Sequence, residues 1–181
     1  MAQARIRPGK HLHLAPELHR INGAWYIYFA GAATDFEASG LPTHRMFVLE
    51  NTDDDPTSDN WVEKGQIITP IDSFALDATT EVIDGVQYLV WAQKDPAIEG
   101  NSNLYIAKMA NPWTLGSEPV MLTKPEYDWE CIDFLVNEGP ASCSMRTRST
   151  SRIPPPAPEF RTRGAVDRRA RQRSAGQGLL D

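Results

Sequence analysis

Residues 21–30, Ile-Asn-Gly-Ala-Trp-Tyr-Ile-Tyr-Phe-Ala, carry the pattern that decides the fold. An Asn-Gly pair, which is a strong hairpin-turn signal, precedes a run of aromatic and β-branched residues that is typical of a strand. The pattern returns farther along the chain, where Ile83-Asp84-Gly85 precedes Val-Gln-Tyr-Leu-Val-Trp-Ala-Gln. The sequence therefore predicts that one strand–turn–strand unit occurs twice.

Further strand-like runs extend each unit. Residues 44–50 and 103–109 form amphipathic runs at nearly the same repeat interval, and each is followed by a loop with Asp-Pro or Asn-Pro and then a tryptophan. A short run at 120–123 closes the second unit. Antiparallel strands in groups of four, repeated at a fixed period, are typical of β-propeller blades. A β-sandwich would explain the strands equally well but not the repeat, so we predict an all-β fold and favour a propeller.

Overall composition sets outer limits on function. The chain has 181 residues, with 41% hydrophobic and 23% charged residues, which is ordinary for one globular domain with or without a tail. No apolar run reaches the roughly 18 residues of a membrane helix, and the N-terminal segment shows no secretory signal, so no membrane partner is expected. A net charge of −6 argues against nucleic acid as the main partner.

That net charge is an average over two different compositions. Residues 1–140 carry a net charge of −12, whereas the remainder contains nine Arg and no Lys and carries +6. A tail this rich in Arg, Pro and Ser cannot bury enough surface to offset its chain entropy. It can be a disordered terminus, a basic arm for nucleic acid or another anionic partner, or the product of a shifted reading frame, which we favour. We divide the chain into an N-terminal stub at 1–10, a partial propeller domain at 11–141 and the tail at 142–181.

Three acidic residues follow apolar runs at nearly the same repeat spacing. They are Glu17, Asp77 and Glu138, and the two intervals between them are almost equal. Each acid is predicted to lie on the first strand of a blade, the third of these strands over 134–140. Because the first strand of every propeller blade lines the central channel, we expect the three carboxylates to point into one funnel. A buried carboxylate is costly unless it is paired or functional, and neighbouring carboxyls raise one another's pKa. Two carboxyls about 6.5–9.5 Å apart are what inverting glycoside hydrolysis requires. Taken singly, each acid is more often a strand-end cap or part of a turn, and it is the occurrence of three at one repeat phase that favours a functional role.

The histidines and cysteines give no sign of a bound metal. His11, His13, His19 and His44 do not form a metal-ligand spacing, and two cysteines cannot supply a four-ligand zinc site. We predict no cofactor and no metal site. His13 and His19 flank Glu17 and could contact a sugar, but from the residues alone we favour a solvated or core-edge role for both.

At this point the motifs resemble glycoside hydrolase family 43, over about residues 11–141. The motifs that carry the resemblance are Ala15-Pro-Glu-Leu-His19, Asn22-Gly-Ala-Trp-Tyr-Ile-Tyr-Phe-Ala30, Phe74-Ala-Leu-Asp-Ala-Thr79, Tyr88-Leu-Val-Trp-Ala-Gln93, Asn101-Ser-Asn-Leu-Tyr-Ile-Ala107, Asn111-Pro-Trp113 and Asn137-Glu-Gly-Pro-Ala141.

The resemblance implies a five-bladed propeller with a funnel-shaped sugar site. Members are mostly α-L-arabinofuranosidases, β-xylosidases and arabinanases that act with inversion on plant polysaccharides, so arabinose- or xylose-containing chains are the expected partners. The family is expected to be extracellular. By resemblance, Glu138 is the general acid and Asp77 tunes its pKa. The expected substrate-binding residues are Glu17, His19, Phe74 and Asn137.

The chain also departs from the family pattern. The family's general base is an Asp on the first strand of the first blade, which belongs one full repeat before Glu17, whereas Met1 lies well within one repeat of Glu17. We therefore expect the polypeptide as written to lack the base and the first blade. Open blade faces and unpaired edges would make it poorly soluble and inactive. A sugar-binding remnant and a basic-tailed interaction protein are the alternative functions.

Overall fold

A computed structural model describes residues 12–32, 43–143 and 159–162 of the chain. These residues form eleven strands and one short 3-10 helix at Asp128–Glu130, which confirms the all-β prediction. The strands are β1 (Leu12–Ile21), β2 (Ala24–Ala32), β3 (Arg45–Asn51), β4 (Val62–Gln66), β5 (Ala75–Ile83), β6 (Val86–Gln93), β7 (Asn103–Asn111), β8 (Thr114–Leu115), β9 (Val120–Thr123), β10 (Pro140–Cys143) and β11 (Glu159–Thr162).

The strands form three antiparallel sheets. The first sheet runs β1-β2-β3-β4, and the second runs β5-β6-β7 with both β8 and β9 paired to β7. The two hairpin turns predicted from the repeat are present. Asn22 and Asp84 have φ of +50° and +49°, and Gly23 and Gly85 follow with φ of +89° and +77°. Asn, Asp and Gly tolerate this left-handed backbone best, which is why the turn recurs with this composition.

The first two sheets pack face to face and share one hydrophobic core. Tyr28, Val48, Leu89 and Trp91 are fully buried members of it. The Tyr28 hydroxyl crosses between the sheets, donating to the Pro112 carbonyl at 2.6 Å and accepting from the Gln87 amide at 3.1 Å. Satisfying this buried hydroxyl on the opposite sheet favours one relative placement of the two sheets.

Strands β1, β5 and β10 are the first strands of the three sheets and lie side by side, with β5 in the middle. The backbone N–H of Ala75 at the start of β5 donates to the His44 carbonyl of the first sheet at 3.0 Å. Farther along, the Ser142 hydroxyl of β10 donates to the Glu81 carboxylate of β5 at 2.9 Å. The start of each first strand is therefore brought to a common end of the molecule.

The third sheet differs from the sequence expectation. We expected a first strand over 134–140, whereas the strand begins at Pro140 and residues 134–139 form an irregular segment before it. The expected domain boundary at 141 falls inside β10, and part of the expected tail forms β11, which pairs with β10. The expected stub at 1–10 and the rest of the tail lie outside the described residues.

Among the residues that the structure describes, no helix is long and apolar enough to cross a membrane.

Candidate active site

A residue with positive φ occupies the same repeat position in β1, in β5 and just before β10. Ala15, Asp77 and Gly139 have φ of +48°, +52° and +62°, and they recur at equal intervals along the chain. Strand pairing slips between Leu14 and Glu17 in β1, and at the matching place in β5. An extra residue of this kind is a β-bulge, which bends a strand and redirects its side chains.

The bulges correct the expected alignment of the three acids. The structural equivalent of Asp77 is Ala15 in β1 and Gly139 before β10, because all three are the positive-φ residue. Glu17 lies two residues after Ala15, whereas Glu138 lies directly before Gly139. The prediction that the three acids share one repeat phase was therefore wrong. It followed the intervals between the acids, whereas the structural repeat follows the interval between the turns.

Glu138 is held by two donors from the start of β7. Its Oε1 accepts hydrogen bonds from the Ser102 hydroxyl at 2.8 Å and from the Asn101 amide at 3.1 Å. Ser102 is buried and Glu138 is half-buried. Two donors on one oxygen fix the carboxyl while the side chain keeps partial access to solvent.

The segment before β10 is pinned to the same place by its backbone. The Asn101 N–H donates to the Leu135 carbonyl at 2.7 Å, and the Asn137 N–H donates to the Ser102 carbonyl at 3.1 Å. The buried side-chain amide of Asn137 donates to the Thr123 hydroxyl at 3.1 Å. These contacts give Asn137, expected to touch substrate, a role in positioning the residue that follows it.

Asp77 is hydrogen-bonded to the residue that follows Glu138. Its Oδ2 accepts the backbone N–H of Gly139 at 2.9 Å. Asp77 adopts its left-handed backbone at the β5 bulge, which turns its carboxylate toward the chain entering β10. One residue thus both fixes the backbone next to Glu138 and places a negative charge near it.

These surroundings raise the pKa of Glu138 above its ordinary value. Burial is the largest cause, the hydrogen bond from Ser102 opposes it, the negative charge of Asp77 adds to it, and the hydrogen bond from Asn101 opposes it. A carboxyl that keeps its proton toward neutral pH can protonate a leaving group. Glu138 therefore has the environment of a general acid, with Asp77 as the charge that tunes it.

The remaining expected site residues lie on the first two sheets. Glu17 accepts a hydrogen bond from His19 Nε2 at 3.1 Å, and the His19 ring packs edge-on against Tyr28. Phe74 immediately precedes β5 and packs against the small core cluster Ala30, Leu76, Ala92 and Leu104. No described contact links Glu17, His19 or Phe74 to Glu138.

Asn101 and Ser102 were missed as site residues. Both belong to the Asn-Ser-Asn motif at the start of β7, but a short polar motif before a strand reads as a turn. They are 37 and 36 residues from Glu138 in the sequence, and the backbone hydrogen bonds between residues 101–102 and the segment before β10 bring them together.

Ser102→Ala is expected to raise the pKa of Glu138 further, because it removes a donor that stabilises the ionised carboxylate. The measurement is a pH titration of the Glu138 side-chain carboxyl by ¹³C NMR. Ser142→Ala is the matched control, since that hydroxyl donates to Glu81 instead. An unchanged or lowered pKa in Ser102→Ala would contradict the role given to this hydroxyl.

Comparison with known proteins places this geometry in a family context. The sequence pattern of glycosyl hydrolases family 43 matches residues 2–145. An extracellular exo-α-(1→5)-L-arabinofuranosidase of Streptomyces avermitilis is 50% identical over 133 residues, which are 74% of this chain and 27% of that protein. An α-L-arabinofuranosidase of Humicola insolens is 50% identical over 128 residues, covering 70% of this chain and 26% of its own length. The chain thus spans about a quarter of each of these two relatives.

Solved structures show the same fold. The crystal structure of an α-L-arabinofuranosidase from Lactobacillus brevis matches with a TM-score of 0.71 and 59% identity, over 74% of this chain and 42% of that chain. A thermostable family-43 glycoside hydrolase matches with a TM-score of 0.56 at 19% identity, over 74% and 43%. These matches confirm the partial propeller and leave the sandwich without support.

Proposed function

The chain belongs to glycosyl hydrolases family 43, and from this premise we propose that it supplies the proton-donating half of an arabinofuranosidase site. Glu138 protonates the oxygen of the leaving sugar, and Asp77 keeps the pKa of Glu138 high enough for it to hold that proton. The observation that carries the proposal is the arrangement around Glu138. Asn101 and Ser102, just before β7, donate hydrogen bonds to its carboxyl, and Asp77 accepts the backbone N–H of the adjacent Gly139.

The substrate in this proposal is an arabinofuranosyl linkage of a plant polysaccharide. Arabinose is favoured over xylose because the relatives at 50% identity carry arabinofuranosidase names. Inversion at the anomeric carbon follows the family resemblance. An extracellular location for the whole protein is supported by the Streptomyces relative, whose name includes it.

A segment exchange with a full-length arabinofuranosidase tests the proposal. Residues 11–141 replace the corresponding segment of an arabinofuranosidase relative, and the chimera is assayed on arabino-oligosaccharides and on aryl arabinofuranosides and xylosides. We expect release of arabinose, with the anomer of the first-formed product inverted by NMR. The unmodified relative is the positive control.

A folded chimera that releases neither sugar would contradict the proposal. A chimera that prefers xylosides would retain the acid role and overturn the choice of sugar.

A further inference from the structure

Residues 124–136 form a long loop that leaves the second sheet and returns next to Glu138. It begins after Thr123, the last residue of β9, and ends before Asn137. The hydrogen bond from the Asn137 amide to the Thr123 hydroxyl, at 3.1 Å, joins the two ends of the loop. A compact loop with closed ends is a frequent carrier of function. We call this segment the 124–136 loop.

The base of this loop lies within the candidate active site. Asn137 directly precedes Glu138, and its backbone donates to Ser102, whose hydroxyl holds the Glu138 carboxyl. The 124–136 loop therefore emerges at the end of the molecule where the general acid lies.

A buried carboxylate organises the interior of the loop. Glu130 is 9% exposed, and its Oε2 accepts the backbone N–H groups of Glu126 and Tyr127, both at 2.9 Å. These two bonds fasten the 3-10 helix Asp128–Glu130 at its start. The two hydrogen bonds hold the backbone of residues 126–130 in one conformation.

Two partly exposed aromatic side chains, Tyr127 and Trp129, lie in this part of the loop. Tyr127 and Trp129 lie nearly parallel, at 6° and with centroids 6.0 Å apart, and they are 52% and 40% exposed. Ile132 and Phe134 on the same loop are also exposed, and several large exposed apolar side chains on one loop are typical of a binding surface. The rings also have polar edges, which suit a ligand with both C–H faces and hydroxyl groups.

The neighbouring charges favour a sugar as the occupant. Two exposed carboxylates on the loop, Asp128 and Asp133, can accept hydrogen bonds from hydroxyl groups. A third, Glu126, forms an ion pair with Lys124 at 3.2 Å, and together they offer an acceptor and a donor. The general acid delivers its proton to the oxygen that joins two sugars, so the leaving sugar chain has to extend past Glu138. The loop base lies beside that residue, and the two stacked rings keep about half of their surface exposed, against which a sugar unit can pack.

We propose that Tyr127 and Trp129 form a platform for the arabinofuranosyl chain on the leaving-group side of the cleaved bond. This inference rests on the proposed function for its ligand class, but it is a statement about binding and does not require turnover.

The test is a binding titration of the full chain with arabinotetraose, followed by indole ¹H–¹⁵N NMR. We expect the Trp129 indole signal to shift on titration, and Trp129→Ala and Tyr127→Ala each to weaken binding by about tenfold. Trp61→Ala is the matched control, since that tryptophan lies just before β4, and it should bind as the parent does. Trp129→Phe keeps a ring and should recover part of the affinity.

Two results would overturn the platform. One is an unshifted Trp129 signal, or equal binding by the parent, Trp129→Ala and Tyr127→Ala. The other is loss of self-association in Trp129→Ala by sedimentation with unchanged sugar binding, which would make the rings a contact between polypeptide segments. Because Glu138→Gln should bind arabinotetraose normally, failure of the catalytic proposal would leave the titration unaffected.

Discussion

Glu138→Gln lowers kcat on arabino-oligosaccharides by about 10²–10⁴-fold in the segment-exchange enzyme, which is the contribution expected from a general acid. Gln has nearly the same shape and can still accept the hydrogen bonds from Ser102 and Asn101, so the change removes the proton and little else. Without protonation, the departing sugar would leave as an alkoxide, which is a poor leaving group. Steady-state kinetics on the oligosaccharide gives the comparison.

Substrates with different leaving groups distinguish a general-acid role of Glu138 from any other role. An aryl arabinofuranoside with an acidic phenol departs without protonation, so Glu138→Gln should lose far less activity on it than on the oligosaccharide. Glu81→Gln is the matched control, because that carboxylate is bonded to Ser142 and not to the site. Equal losses on both substrates would argue that Glu138 positions the substrate and does not donate a proton.

Stability measurements show whether such a loss reflects unfolding. The pKa of Glu138 is raised in the folded state, so the folded protein binds more protons than the unfolded chain at pH values between the two pKa values. Its free energy of unfolding therefore decreases as the pH rises through that window. Glu138→Gln removes this cost and should unfold at a higher urea concentration than the parent near neutral pH, an advantage absent below the ordinary Glu pKa.

Asp77→Asn is expected to reduce activity at neutral pH by about tenfold or more, through the protonation state of Glu138. Asn tolerates the left-handed backbone of this bulge and retains an acceptor for the Gly139 N–H, so the charge is the main loss. Because the negative charge of Asp77 raises the pKa of Glu138, its removal lowers that pKa. The alkaline limb of the pH–rate profile should then move to lower pH.

The comparison with Asp77→Ala divides the two functions of this side chain. Ala removes the charge and the hydrogen bond to Gly139 together, and it also strains the positive-φ backbone. Asp77→Ala should therefore lose more activity and stability than Asp77→Asn. An alkaline limb that stays in place in Asp77→Asn, or moves to higher pH as expected for Ser102→Ala, would contradict the tuning role.

The strands of the first two sheets were predictable because each is encoded locally. Asn22-Gly23 and Asp84-Gly85 can adopt the backbone of a tight hairpin, and the runs after them are aromatic and β-branched. The third sheet was predicted poorly. Residues 134–139 are apolar enough to read as a strand, but their backbone groups bond to Asn101 and Ser102 instead of to a neighbouring ladder.

The sequence by itself determined the all-β repeat and the two hairpins and singled out Asp77 and Glu138 as candidate site residues, because turn chemistry and a motif of adjacent residues are local properties. Only the tertiary structure decided how these two acids are related. The bulge at Asp77 and the positive-φ residue Gly139 just before β10 interrupt simple strand alternation, so the two acids occupy different repeat positions and are linked through the Gly139 N–H. The tertiary structure likewise decided that Ser102, 36 residues away, bonds to Glu138. Backbone hydrogen bonds between residues 101–102 and the irregular 134–139 segment bring the two side chains together, and a contact at that separation leaves no local signal in the sequence.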